Sequence, residues 1–126
     1  MAVVTPVGAR EGQTIKYTVS GSAVTQYQVI ELGNADGIIG VALEDGAVGE
    51  TISVAIEGVW TFPKVSAAVI AAGESVDWDT SAGAVDDNAA TSATGDYPSF
   101  GLAMAAGANG ETSILVRLIP KPVAIA

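Results

Sequence analysis

A twelve-residue segment occurs twice in this chain. Gly40-Val-Ala-Leu-Glu-Asp-Gly-Ala-Val-Gly-Glu-Thr51 and Gly101-Leu-Ala-Met-Ala-Ala-Gly-Ala-Asn-Gly-Glu-Thr112 share seven identities at an offset of 61 residues. Each copy runs into a period-2 apolar pattern, Ile52, Val54 and Ile56 after the first and Ile114, Val116 and Leu118 after the second. Such alternation is the mark of a strand with one buried face. In the second copy it lags by one residue, which makes Ser113 read as an insertion or a bulge. Two copies are too few for a solenoid. The repeat predicts two equivalent strand–turn–strand hairpins, or a loop pair that recognises something.

Other strand signals surround it. Thr14–Val19 alternates, Val24–Leu32 is rich in β-branched residues, and Ile38–Leu43 is a short apolar run. The longest pattern is 51–62, where Ile52, Val54, Ile56, Trp60 and Phe62 share a phase and Gly58 is the natural place to bend. With Trp78, these six residues are the predicted core. Residues 65–72 are a candidate for one or two helical turns, and 79–96 read mostly as loop. Ser75–Trp78, Phe100–Met104 and Ile114–Ile119 complete the strands. The expected fold is all-β: a small single-domain sandwich or barrel with short or no helix and extended termini. The expected organisation is an N-terminal arm at 1–13, a β-domain at 14–119 and a proline-containing tail at 120–126.

The 126 residues contain no cysteine and no histidine. That removes disulfides, Cys-His and Ser-His-Asp nucleophiles, and nearly all zinc sites. No Gly-x-Gly or Gly-Lys pair cradles a phosphate. Asp77-Trp-Asp79-Thr-Ser81 starts like a calcium loop, but Ala82 stands at its sixth position and Asn88 at its twelfth. Asp79-Thr-Ser81 lacks the glycine of an aspartic-protease triplet. We expect no cofactor, no metal and no catalysis. Trp60, Phe62 and Trp78 form either a stacking platform for sugars or bases or, given their phase, part of the core.

Fourteen acids and five bases give a net charge of −9. Residues 36–111 hold twelve acids and one base, Lys64. The balance excludes a nucleic-acid or anionic-membrane partner, which needs a basic footprint. No uncharged run approaches the ~20 residues of a spanning helix, and Met1–Ala9 does not read as a secretion signal. The other four bases, Arg10, Lys16, Arg117 and Lys121, lie towards the ends. There they accompany Val3, Val4, Pro6 and Val7 at one end and Pro120, Pro122, Val123 and Ile125 at the other. Apolar, proline-stiffened ends pack on their own domain or on a neighbour, by strand addition or groove filling. These twelve residues are the candidate contacts to a neighbouring subunit or other partner surface.

Several segments, taken in order, resemble the cement (decoration) proteins of tailed bacteriophages. They are Gly40-Val-Ala-Leu43 with Gly49-Glu-Thr51, and Val54-Ala-Ile-Glu-Gly-Val-Trp-Thr-Phe-Pro-Lys64. Ala72-Gly-Glu-Ser-Val-Asp-Trp-Asp79, Gly101-Leu-Ala-Met104 and Val116-Arg-Leu118 follow. The resemblance spans residues 14–119. It implies a structural protein of the virion that sits on the outer capsid surface, stabilises contacts between capsomers and is made in the bacterial cytoplasm. Its implied partners are the major capsid protein and itself, as a homotrimer. The alternative is a virion or bacterial-surface β-domain that binds carbohydrate or a host surface.

Overall fold

The computed structural model describes residues 3–6, 13–33, 37–88, 93 and 95–119. Among them there is no helix, and the strands form two antiparallel sheets. The smaller sheet contains β2 (Thr14–Thr18), β3 (Val29–Leu32), β4 (Ile38–Ala42) and β5 (Thr51–Ala55), in the order β2-β5-β4-β3. The larger contains β1 (Thr5–Pro6), β6 (Gly58–Pro63), β7 (Ser75–Asp79), β8 (Ala84–Asp87), β9 (Tyr97–Ala103) and β10 (Ser113–Leu118). Their order is β1-β6-β10-β9-β7-β8.

Removing β1 and β8 from the larger sheet leaves β6-β10-β9-β7, which has the same succession as β2-β5-β4-β3. Each unit begins on a strand that pairs with its last, as in a Greek key. The molecule is thus one four-stranded unit built twice, with one strand added at each edge of the second. The repeated segment is the β4–β5 connection in one unit and the β9–β10 connection in the other.

Residues 51–62 are two strands rather than one. The ladder stops after Ala55 and resumes at Gly58, whose φ of 107° is one that side-chain-bearing residues rarely adopt. The chain changes sheet there, so the residues sharing a phase separate. Ile52, Val54 and Ile56 join a smaller apolar cluster with Val19, Ile30 and Leu32. Trp60 and Phe62 join the larger cluster between the sheets. In that cluster Phe62, Trp78 and Phe100 meet edge-on, with ring centroids 5.4–6.1 Å apart. β4 feeds both clusters, Ile39 and Val41 on one face and Ala42 on the other. Its near-continuous apolar sequence follows from burial on two sides.

The helical expectation for 65–72 fails. Ala68 and Ile70 are buried while Ala67 and Val69 are exposed, a period of two. Ile70 exchanges both backbone hydrogen bonds with Gly107, each 2.8 Å. Tertiary pairing overrides the helix propensity of an alanine-rich run. Residues 79–96 carry β8, which the sequence reading missed. Among its residues only Val85 signals a strand, and the hairpin rests on the Asp79–Gly83 turn, where Gly83 N–H donates to Asp79 C=O at 2.8 Å. The second strand begins at Val29 rather than Val24, because residues 25–28 form a turn.

Candidate functional site

Five of the turns share one design. In Ala47-Val-Gly-Glu50, Glu50 N–H donates to Ala47 C=O at 3.0 Å, and Ala47 N–H donates to the Glu50 carboxylate at 2.6 Å. Gly49 supplies φ 93°, as the third residue of a type II turn requires. Ala108-Asn-Gly-Glu111 repeats it, with bonds of 3.1 and 2.5 Å. Ala71-Ala-Gly-Glu74 is a third copy, its Ala71 N–H again donating to the Glu74 carboxylate. Ala93, Gly95 and Asp96 form a fourth, with bonds of 3.0 and 2.9 Å. Thr25-Gln-Tyr-Gln28 is a fifth. There Gln28 supplies the acceptor at 3.1 Å, and Tyr27 takes the positive φ of 69°. The sequence reading saw two of these. The third spells the same Ala-x-Gly-Glu and was legible; the fifth shares no residue type with it. Four of the chain's acids thereby cap their own backbone.

The two units pack these turns differently. In the first, Val19 lies against Gly46 beneath the 47–50 turn. In the second, Lys64 lies against Gly107 beneath the 108–111 turn. Lys64 is 4% exposed, and its Nζ donates to the carbonyls of Val65, Ser66, Ala108 and Glu111 at 2.9–3.2 Å. The single base of the acidic stretch is a structural clasp, unavailable to an incoming partner.

The sequence-predicted contact residues are dispersed. Val4 is 2% exposed in the main core, and its N–H donates to Tyr27 C=O at 2.7 Å. Thr5 and Pro6 pair with Thr61 and Trp60, while Val3 remains exposed. Lys16 is exposed on β2, where its Nζ donates to Ser53 Oγ at 3.0 Å. Arg117 is exposed on β10 between Val59 and Leu102. Val7, Arg10, Pro120, Lys121, Pro122, Val123 and Ile125 lie outside the described residues. The six predicted core residues are all buried. Among the described residues, the exposed large apolar side chains are instead Val3, Ile15, Val48, Val69 and Met104. Val48 is the tip of the 47–50 turn, and Val69 and Met104 belong to the segments flanking the equivalent turn of the second unit.

The acids gather at the β7–β8 edge. Asp77 and Asp86 are partners across the ladder. Asp77 is buried, accepts the Ser99 N–H at 2.8 Å and has its pKa raised, mainly by desolvation, with Asp86, Asp87 and Asp96 adding to the rise. Asp79 is shifted down, first by the Ser81 hydroxyl and then by backbone N–H groups. Tyr97 is shifted up by burial and by Glu31. Among the described residues, no three His, Cys, Asp or Glu side chains are grouped to hold a metal ion. No helix there is long and apolar enough to cross a membrane.

The arrangement is that of a β scaffold with self-capped turns, and its strong hydrogen bonds are spent internally. The family model for phage cement proteins matches residues 9–118, so the chain belongs to the phage cement protein family, a structural one that implies association with the phage capsid. Comparisons with curated proteins and with solved structures return no match.

Proposed function

We propose that the protein decorates the outer surface of a tailed-phage head, where it binds the major capsid protein and stabilises contacts between capsomers as a homotrimer. The family match over residues 9–118 carries this reading. The duplicated scaffold supports it. Turn carboxylates that cap their own backbone, and the Lys64 clasp that ties two loops together, give a small domain fixed loops to press on a lattice. Docking uses the apolar-basic elements: Val3, Lys16, Arg117 and the segments 7–10 and 120–125. An acidic body approaching a shell gains encounter rate from its few bases, while apolar anchors supply most of the affinity. The protein is made in the host cytoplasm and works on the virion exterior.

The test is reconstitution on undecorated heads. Full-length protein is expected to co-sediment with heads, to raise their melting temperature and to appear as trimeric density on the outer surface. Protein lacking 120–126 should remain folded and bind heads more weakly. Undecorated heads that bind no full-length protein, or isolated single copies in the density, would overturn the reading.

A further inference from the structure

An open groove of about 490 Å3 runs between β3 and the β7–β8 hairpin. Its residues include Tyr17, Ser20, Ser22, Gln28, Glu31 and Trp78. The hairpin wall is Thr80–Gly83. β8, which forms that hairpin with β7, is one of the two strands added to the repeated frame. Among the described residues, the equivalent edge of the first unit carries no such strand.

We infer that this groove binds a neutral oligosaccharide. The argument is one of matching groups. The volume is within the usual ~300–1,000 Å3 of ligand sites. A site open to solvent suits a chain that extends beyond it rather than an enclosed small molecule. Among the described residues no lysine or arginine lines it, and Glu31 does, so a phosphorylated, sulfated or sialylated ligand would meet repulsion. The surface is rich in hydroxyl and amide groups, which an aliphatic ligand would leave without partners. Tyr17, Ser20 and Ser22 offer hydroxyls that no hydrogen bond within the described residues engages. Glu31 accepts the Trp78 indole N–H through one carboxylate oxygen at 2.8 Å, leaving the other for a sugar hydroxyl. The opposite wall is already rigid. The Thr80 hydroxyl donates to Gly95 C=O at 2.5 Å, and the Ser81 hydroxyl donates to Asp79 at 2.8 Å. A wall ordered beforehand reduces the entropy lost on binding. Trp78 itself is buried at 2% exposure, so recognition rests on hydrogen bonds and the half-exposed Tyr17 ring rather than on an open tryptophan platform.

The inference concerns the isolated protein and does not depend on head binding, so the two fail separately. Amide chemical shifts and tryptophan fluorescence would be followed while the full chain is titrated with maltohexaose, cellohexaose, chitohexaose, xylohexaose and mannohexaose. A heparin hexasaccharide and a Lys-Ala hexapeptide serve as contrasts. At least one neutral probe is expected to bind saturably at up to about 10 mM, with shifts confined to Tyr17–Ser22, Gln28–Glu31 and Trp78–Gly83. Ser22→Trp, at an exposed position, should abolish those shifts without changing the melting temperature. Glu31→Gln keeps the indole acceptor and should weaken neutral binding by about tenfold or less. Silence from all five neutral probes, shifts that survive Ser22→Trp, or stronger binding of heparin or the peptide in the groove would overturn the proposal.

Discussion

The two units use one backbone plan and close it with opposite chemistry. Beneath the turn of the β2–β5 unit lies Val19, an ordinary apolar contact. Beneath that of the β6–β10 unit lies the Lys64 ammonium, surrounded by backbone carbonyls. A methyl group next to a glycine needs only space. An ammonium buried there needs acceptors, and the ends of the 65–68 and 108–111 turns provide them. The same frame therefore tolerates a charge when the loops around it turn their carbonyls inward. The units also differ in their edges, since only the second takes up β1 and β8.

Replacing the two clasps should break the comparison most sharply. Lys64→Met removes the only donor common to four carbonyls and should cost about 3 kcal/mol in chemical denaturation. Val19→Ala should cost about 2 kcal/mol through lost burial alone. Equal losses would mean that the carbonyls find water in the variant.

The equivalent glycines Gly40 and Gly101 come next. A Cβ on Gly101 would sit 2.6 Å from the Arg117 carbonyl oxygen, whereas the nearest atom to one on Gly40 is a Val54 methyl at 2.5 Å. Backbone yields less than a methyl. Gly101→Ala should lose about 2–3 kcal/mol and Gly40→Ala about 1–2 kcal/mol. The reverse order would show the second unit's ladder to be the softer one.

Smaller and symmetric effects are expected at the turn caps. Glu50→Ala and Glu111→Ala each free one exposed N–H and should each cost about 0.5–1 kcal/mol. Unequal values would locate load in one turn that the shared geometry does not predict.

The smallest effect separates the units by pH, because the buried Asp77 belongs to the second alone. Its folded pKa is raised, so protonation favours the folded state. That contribution is fully present below the ordinary carboxylate value of 3.8 and is lost as pH rises through the folded value. Asp77→Asn keeps an acceptor for Ser99 N–H. Wild type should therefore gain stability relative to this variant as pH falls from 7 towards 4. Parallel melting curves across that range would remove Asp77 as the source.

Local pattern fixed much of the fold. Alternation at Thr14–Val19, 51–62 and Ile114–Ile119 named segments that are strands, the second of them split in two at Gly58, and the glycine-rich repeat located equivalent turns, because side-chain period and positive-φ positions are properties of neighbouring residues. The absence of histidine and cysteine bounded the chemistry by composition alone. Other features were decided only by tertiary contact. Residues 65–72 read as one or two helical turns, and the pairing of Ile70 with Gly107 made them extended instead. Lys64 carried no local sign of burial, yet four backbone carbonyls enclose it, two from its immediate neighbours and two more than forty residues away in sequence. The separation of Ile52 from Trp60 into different clusters came from one rotation at Gly58, which keeps the phase of the pattern while changing the sheet. Periodicity records which residues are buried together with their immediate neighbours. It carries no record of which distant segment covers them, since that is set by loop closure and packing across the whole chain.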